Sequence, residues 1–250
     1  MKFIIMDTKE QIDLAVADVM EAELRKHSRG VFGFATGSSP KGVYKELIRR
    51  HKEEGLDFSG ITTINLDEYV GLDMSHRESY HSFMNEYLFD HVNVDREKVH
   101  IPDGGAQDPE AEALRFEALI QELEPAAVQI LGVGVNGHIG FNEPAESFTV
   151  PTHVTELTQQ TMEVNGRFFD SVEEVPHEAI TMGVGGIMRA SKIIFIALGK
   201  AKQEAVKALE DGSVTPGNPS TILKVHPDVT VFCDREAAAL LQLEDLNRIK

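Results

Sequence analysis

Within Gly132-Val133-Gly134-Val135-Asn136-Gly137-His138-Ile139-Gly140-Phe141-Asn142-Glu143-Pro144, an amide, an imidazole and a carboxylate fall inside eight residues, at Asn136, His138 and Glu143. A histidine takes up and returns a proton near neutrality, and a neighbouring carboxylate or amide fixes its tautomer and direction. The combination offers acid/base machinery. A buried histidine satisfied by hydrogen bonds is the plainer alternative, and a metal site is weaker still, because His138 and Glu143 lack a third ligand at a recognisable spacing. The first six residues also satisfy G-x-G-x-x-G. A dinucleotide fingerprint opens straight into a helix, however, whereas Gly140 and Pro144 interrupt any helical pattern here. Without that helix, Glu156 at a ribose-binding spacing is a chance match.

Two further loops carry chemistry-bearing residues. Thr36-Gly37-Ser38-Ser39-Pro40 precedes a segment whose apolar positions are Val43, Tyr44, Leu47 and Ile48. Pro40 suits a first helical turn, and the residues before it leave backbone and hydroxyl donors to surround an anion at the positive helix end. For this loop alone, a plain N-cap and a phosphate cradle both stay open. It is not a nucleotide P-loop, since Pro40-Lys41-Gly42 replaces the Lys-Ser/Thr pair, so a monophosphate fits better than ATP. The second loop holds Asp67-Glu68-Tyr69-Val70-Gly71. Adjacent carboxylates at a strand end point in different directions, so one is able to face a cleft as a base while the other makes a structural hydrogen bond. A pair of solvated turn acids is the alternative.

The elements that must position these loops are short β-branched or aromatic runs, most of them followed by segments of helical period. That is the alternation of a parallel sheet covered by helices. The runs are Phe3–Met6, Val31–Ala35, Ile61–Leu66, Val128–Leu131, Ala179–Met182, Ile193–Leu198 and Val229–Cys233, with Val99–Ile101 a weaker one. Several lack polar alternation, as strands buried on both faces do. Ile12, Ala15, Val16 and Val19, and again Phe116, Leu119, Ile120 and Leu123, repeat the i, i+3, i+4, i+7 spacing of an amphipathic helix. Glu110, Glu112, Glu117, Glu122 and Glu124 then fall largely on a solvated face. Residues 142–176 are polar, carry Pro144, Pro151 and Pro176, and show no convincing buried strand. A segment of that length reads as an active-site cover, with a small surface subdomain as the alternative. With no internal repeat or linker, residues 1–250 read as one domain.

The formal net charge is −17, with 24 Lys+Arg against 41 Asp+Glu. Such a balance repels a phosphate backbone, and no stretch gathers the basic density that nucleic acid requires. Hydrophobic residues at 42% and charged residues at 26% are ordinary globular usage, which argues against a disordered or fibrous chain. The single cysteine, Cys233, excludes an intrachain disulfide, and no apolar run approaches the length of a membrane span. The segment MKFIIMDTKE stops its apolar run at Asp7 without a signal-peptide core, and reads as the first strand of a cytoplasmic protein.

The segments ATGSSP, LDEYVGL, SYHSFM, GVGVNGHIGFNEP and NGRFFD, in this order and spacing, resemble glucosamine-6-phosphate deaminases over nearly the whole chain. The resemblance implies an α/β, Rossmann-like, doubly wound and mostly parallel sheet of about seven strands with helices on both faces. It implies conversion of α-D-glucosamine 6-phosphate and water to fructose 6-phosphate and ammonia, in amino-sugar (N-acetylglucosamine) catabolism, without metal or organic cofactor. Carried over by motif, Asp67 is the base that moves the C2 proton toward C1. His138 catalyses ring opening, with Glu143 and Asn136 in support. Many relatives have Asp where this chain has Asn136; an amide orients the imidazole but relays no proton. Family phosphate contacts fall on Thr36, Gly37, Ser38, Arg167 and Lys202, the last near Lys200 at the start of a helix. A sugar-lactone hydrolase needs no base at C2, and a sugar-phosphate-sensing repressor domain keeps no catalytic set, so both rivals fit less well. Some longer family members form hexamers activated by N-acetylglucosamine 6-phosphate. This short chain, ending soon after Ala237, Leu240 and Leu241, is expected to be a monomer without that control.

Overall fold

The apolar runs fold into ten strands among the described residues of the computed structural model, which are 1–166, 169, 171 and 174–242, with the side chains of 164 and 165 left aside. In chain order they are β1 (Lys2–Met6), β2 (Val31–Phe34), β3 (Thr62–Asn65), β4 (Asp67–Tyr69), β5 (Val99–His100), β6 (Val128–Leu131), β7 (His153–Glu156), β8 (Glu178–Thr181), β9 (Ile193–Ala197) and β10 (Val229–Asp234). The helices are α1 (Lys9–Lys26), α2 (Lys41–Glu54), α3 (Tyr80–Tyr87), α4 (Pro109–Glu122), α5 (Gln159–Asn165), α6 (Val184–Met188) and α7 (Gln203–Glu210). The main sheet has seven strands in the order β1-β10-β9-β6-β2-β3-β5. Every pairing in it is parallel.

Local sequence explains the helices that frame the site. Thr8 caps α1 by accepting the Gln11 N–H, while the Gln11 side chain reaches back, a capping box that fixes where the helix starts. Ile12, Val16, Met20 and Leu24 then form its buried stripe, and α1 packs on α2, β1 and β10. Asp108 caps α4 by accepting the Ala111 N–H, with Pro109 in the first turn. Phe116 and Ile120 are buried as the spacing requires. The expected solvated acidic face of α4 is only partly so. Glu112 is buried against Arg115 and accepts the Asp103 N–H. Glu117 accepts both the backbone N–H and the hydroxyl of Thr152.

Sheet membership also differs from the sequence expectation. The run Ala179–Met182 does not enter the main sheet. It becomes β8, the centre of a second, antiparallel sheet ordered β4-β8-β7, and the weaker Val99–His100 supplies the edge of the main sheet instead. The physical reason is that β8 is buried from both sides. Met182 faces the large core, while Ala179 joins a smaller cluster with Tyr69, Leu72, Phe141 and Leu157, so its apolar run matches that of a central parallel strand. The stretch 142–176 contains the half-buried strand β7 and the short helix α5. No helix of the described residues is long and apolar enough to cross a membrane.

The order in which strands are added reverses between the parallel neighbours β2 and β6, since β2 leads outward to β3 and β5 on one side and β6 leads to β9 and β10 on the other. Loops leaving the carboxyl ends of two such strands diverge and open a crevice. The loop Thr36–Pro40 follows β2, and Gly132–Pro144 follows β6. Topology alone brings the two most chemically loaded loops together.

Candidate active site

A cavity of about 460 Å³ opens at that crevice. Its wall includes Thr36, Gly37 and Ser38 from the first loop, Asp67 from β4, and Asn136 and His138 from the loop after β6, with Lys202 entering after β9. Seven of the nine residues singled out from sequence therefore share one cavity. Glu143 stands behind His138, and Arg167 lies outside the described residues.

On the imidazole side, the backbone folds back on itself: Gly134 donates to the His138 carbonyl at 2.9 Å and Gly137 to the Gly134 carbonyl at 3.1 Å. A Cβ on Gly134 would stand 2.3 Å from the His138 ring, so only glycine lets the imidazole lie against this turn. His138 Nδ1 is 3.3 Å from Glu143 Oε1, at ion-pair distance but without hydrogen-bond alignment. Asn136 ties the group together. Its Nδ2 donates to Glu143 Oε2 at 2.7 Å, and its Oδ1 accepts the His138 N–H at 3.2 Å. Thr161 Oγ1 donates to Glu143 Oε1 at 2.5 Å. Burial alone would raise the Glu143 carboxyl, but the facing His138 imidazole, Thr161 and Asn136 outweigh it and hold the group down at about 2.

Across the cavity, the adjacent acids divide as their alternation on a strand requires. Glu68 is fully buried, and its carboxylate accepts the N–H groups of Tyr69 and Tyr80, both at 2.9 Å, and of His81 at 3.1 Å. It fixes the start of α3, and with it the cavity-lining Tyr80. Asp67 is 7% exposed, and among the described residues none donates a hydrogen bond to its side chain. Burial, with the charge of Glu68 adding to it, pushes the Asp67 carboxyl up to about 8. A Cβ on Gly140 would lie 3.3 Å from Asp67 Oδ2, which shows how closely the loop after β6 approaches this carboxylate. The arrangement supplies two separate proton-transfer groups. Neither acid is a solvated turn residue.

The anion side is built from the β2 loop. Pro40 occupies the N-cap of α2 with no side-chain capping bond, so the plain N-cap reading of the serines does not hold. The loop is anchored by Tyr44, whose buried hydroxyl donates to the Ala35 carbonyl at 2.5 Å and accepts the Ala35 N–H at 3.1 Å. Lys202 ends the single 3-10 turn Lys200–Lys202 that leads into α7. Among the described residues, no group of three or more His, Cys, Asp or Glu side chains converges as a metal site.

Comparison with known proteins places this geometry. The sequence profile of the glucosamine-6-phosphate isomerases/6-phosphogluconolactonase family matches residues 7–231. This chain belongs to that family. Within it, the chain is 48% identical to a glucosamine-6-phosphate deaminase of Thermoanaerobacter pseudethanolicus over 250 residues, covering 100% of this chain and 99% of that protein. It is 45% identical to the glucosamine-6-phosphate deaminase of Bacillus velezensis over 229 residues, covering 92% of this chain and 95% of that protein. The solved structure of a monomeric glucosamine-6-phosphate deaminase superposes with a TM-score of 0.94 at 43% identity, covering 96% of this chain and 100% of that one. A 6-phosphogluconolactonase of Trypanosoma brucei shares the fold, with a TM-score of 0.74 at 17% identity over 96% of this chain and 98% of that one.

The cavity of this isomerase/lactonase-family chain also contains residues that sequence reasoning did not single out. Lys9, Tyr80, Gln160 and Thr161 line it. Tyr80 lies in the SYHSFM segment, so a signal for it existed. Thr161 and Gln160 belong to a polar stretch without a motif, and Lys9 opens the first helix, far from the loops in sequence.

Proposed function

We propose that this chain is a glucosamine-6-phosphate deaminase, converting α-D-glucosamine 6-phosphate and water to fructose 6-phosphate and ammonia. The observation that carries this reading is Asp67, a buried carboxylate with its proton affinity raised to near neutrality, in one cavity with a histidine–carboxylate pair and an anion loop. His138, oriented by Asn136 and Glu143, moves a proton from the C1 hydroxyl toward the ring oxygen and opens the sugar. Asp67 removes the proton on C2 and returns one to C1, while the amine nitrogen gives up a proton and O1, the former carbonyl oxygen, takes one, leaving an imine at C2 and a hydroxyl on C1. Water then adds to C2 and ammonia departs. Thr36, Gly37, Ser38, Arg167 and Lys202 hold the phosphate, whose remote binding energy orients the reacting carbons.

Residues 142–176 act as the cover over this site within one catalytic domain. Support comes from Gln160 and Thr161, which line the cavity, and from the Thr161 bond to Glu143. A cytoplasmic monomer is the assembly we propose, by analogy with the monomeric deaminase whose structure it shares.

A lactonase on the same fold would hydrolyse an ester and need no base at C2. The test is a coupled ammonia assay over a panel of phosphorylated amino sugars, run beside 6-phosphogluconolactone. Ammonia release from glucosamine 6-phosphate is the expected outcome. Lactone hydrolysis without ammonia would overturn the reading.

A further inference from the structure

We propose that Lys9, held in place by Asp13, is a phosphate-binding residue of the cleft. The identity of the ligand rests on the deaminase reading above, but the assignment of Lys9 rests on its own geometry. Lys9 is the first residue of α1 and lines the same cavity as Ser38, Ser39 and Lys202. For helix stability it is misplaced. A cation in the first turn opposes the helix dipole, and lysine preceding its acid by four residues is the weaker order for such a pair. A residue that serves its helix poorly and faces a cavity calls for a role in the cavity.

The surroundings hold the ammonium firmly. Lys9 Nζ lies 2.7 Å from each Asp13 carboxylate oxygen. The Asp13 side chain is only 11% exposed, against 37% for Lys9, and burial pushes its carboxyl up, so this acid depends on Lys9 for its counter-charge. Asp13 is itself seated against the first turn of α2. A Cβ on Gly42 would stand 1.8 Å from Asp13 Oδ2, so residue 42 must be glycine for the carboxylate to keep its place. The same turn of α2 receives the loop Thr36–Pro40. Asp13 thus fixes Lys9 relative to the anion loop rather than merely to its own helix.

Charge balance gives the pair its purpose. A phosphate monoester carries close to two negative charges at neutral pH, and hydroxyl and backbone donors neutralise none of it. Among the described residues lining the cavity, the ammonium groups are those of Lys9 and Lys202. An ammonium has three donors. Asp13 engages two of them and leaves the third for the ligand.

The test uses the full chain as wild type, Lys9→Met, Lys9→Arg and Asp13→Asn. Dissociation constants for inorganic phosphate are measured by calorimetry, alongside KM and kcat for glucosamine 6-phosphate. Lys9→Met should weaken phosphate binding about ten-fold, the loss of one charge-assisted hydrogen bond, and raise KM by a similar factor while kcat falls far less. Lys9→Arg should recover most of the loss, and Asp13→Asn should lie between. A purely structural lysine would lower the melting temperature and leave phosphate affinity alone. Equal phosphate affinity in wild type and Lys9→Met, or no phosphate binding by wild type, would overturn the proposal. Lys9-dependent phosphate binding without ammonia release would instead uphold Lys9 and remove the deaminase reading.

Discussion

Burying a carboxylate that accepts no hydrogen bond costs folding free energy, and Asp67 is such a group among the described residues, with its carboxyl raised from 3.8 to about 8. The unfolded chain releases this proton near the ordinary carboxylate value, whereas the folded chain retains it until about 8. Stability from protonated Asp67 is therefore complete below about pH 4 and is lost as pH rises toward 8. Asp67→Asn never ionises, so the variant should gain on wild type across that window. The expected gain is several kcal/mol at pH 8, with roughly 5 kcal/mol as the ceiling set by that shift, and it shrinks at pH 4, measured by urea unfolding at both values. Exchange of the C2 hydrogen with solvent should vanish in the same variant, while glucosamine 6-phosphate still binds. Full exchange would remove Asp67 from the role of base, and a stability difference independent of pH would refute its raised proton affinity. Glu143 shows the opposite design. It is also largely buried, yet three polar partners hold it at about 2, which keeps it anionic opposite His138 at every working pH.

At the scale of elements, α2 does for the anion loop what β4 does for Asp67. Tyr44 is fully buried on α2 and holds both polar groups of Ala35, the residue that ends the central strand run and opens the loop. Tyr44→Phe keeps the ring and its edge-on packing against Phe34, 5.8 Å away, but deletes both bonds. A loss of about 1–2 kcal/mol is expected, read as a lower urea midpoint. KM should rise several-fold because the donors of Thr36–Ser38 are no longer fixed. An unchanged KM would show that the loop is set by the strand alone. Such roles follow from tertiary contact, which marks where sequence reading stops. The parallel sheet, the β2 and β6 loops and the split between Asp67 and Glu68 were legible, because each depends on a local run or a strand end. Entry of Ala179–Met182 into a second sheet was not. Burial from two sides produces one apolar pattern whichever neighbour pairs, and β7 is too exposed to announce itself. Lys9 was invisible for the same reason: its meaning comes from Asp13 and Gly42, which meet only when α1 packs on α2.

For the whole molecule, a net charge of −17 opposes the approach of a phosphate dianion that the cleft must then attract. The two effects differ in range. At an ionic strength of about 0.01 M the screening length is about 30 Å, so the entire acidic surface acts on an arriving anion, whereas at about 0.15 M it is about 8 Å. Lys9 and Lys202, placed in the cavity wall, would act on the phosphate at hydrogen-bond distance in a partly desolvated site, where salt screens little. Added salt should therefore weaken the repulsion more than the grip. We expect kcat/KM for glucosamine 6-phosphate to rise about two- to five-fold between these conditions, with kcat nearly constant. The direction is opposite to that of an enzyme whose overall field draws its substrate in. A steady fall in kcat/KM from the lowest salt upward would mean that the local cations dominate the long-range field, and that the acidic surface does not hinder encounter. Lys9→Met sharpens the comparison. Because salt barely screens the local grip, removing one of its cations should leave the same proportional rise, from a lower starting value.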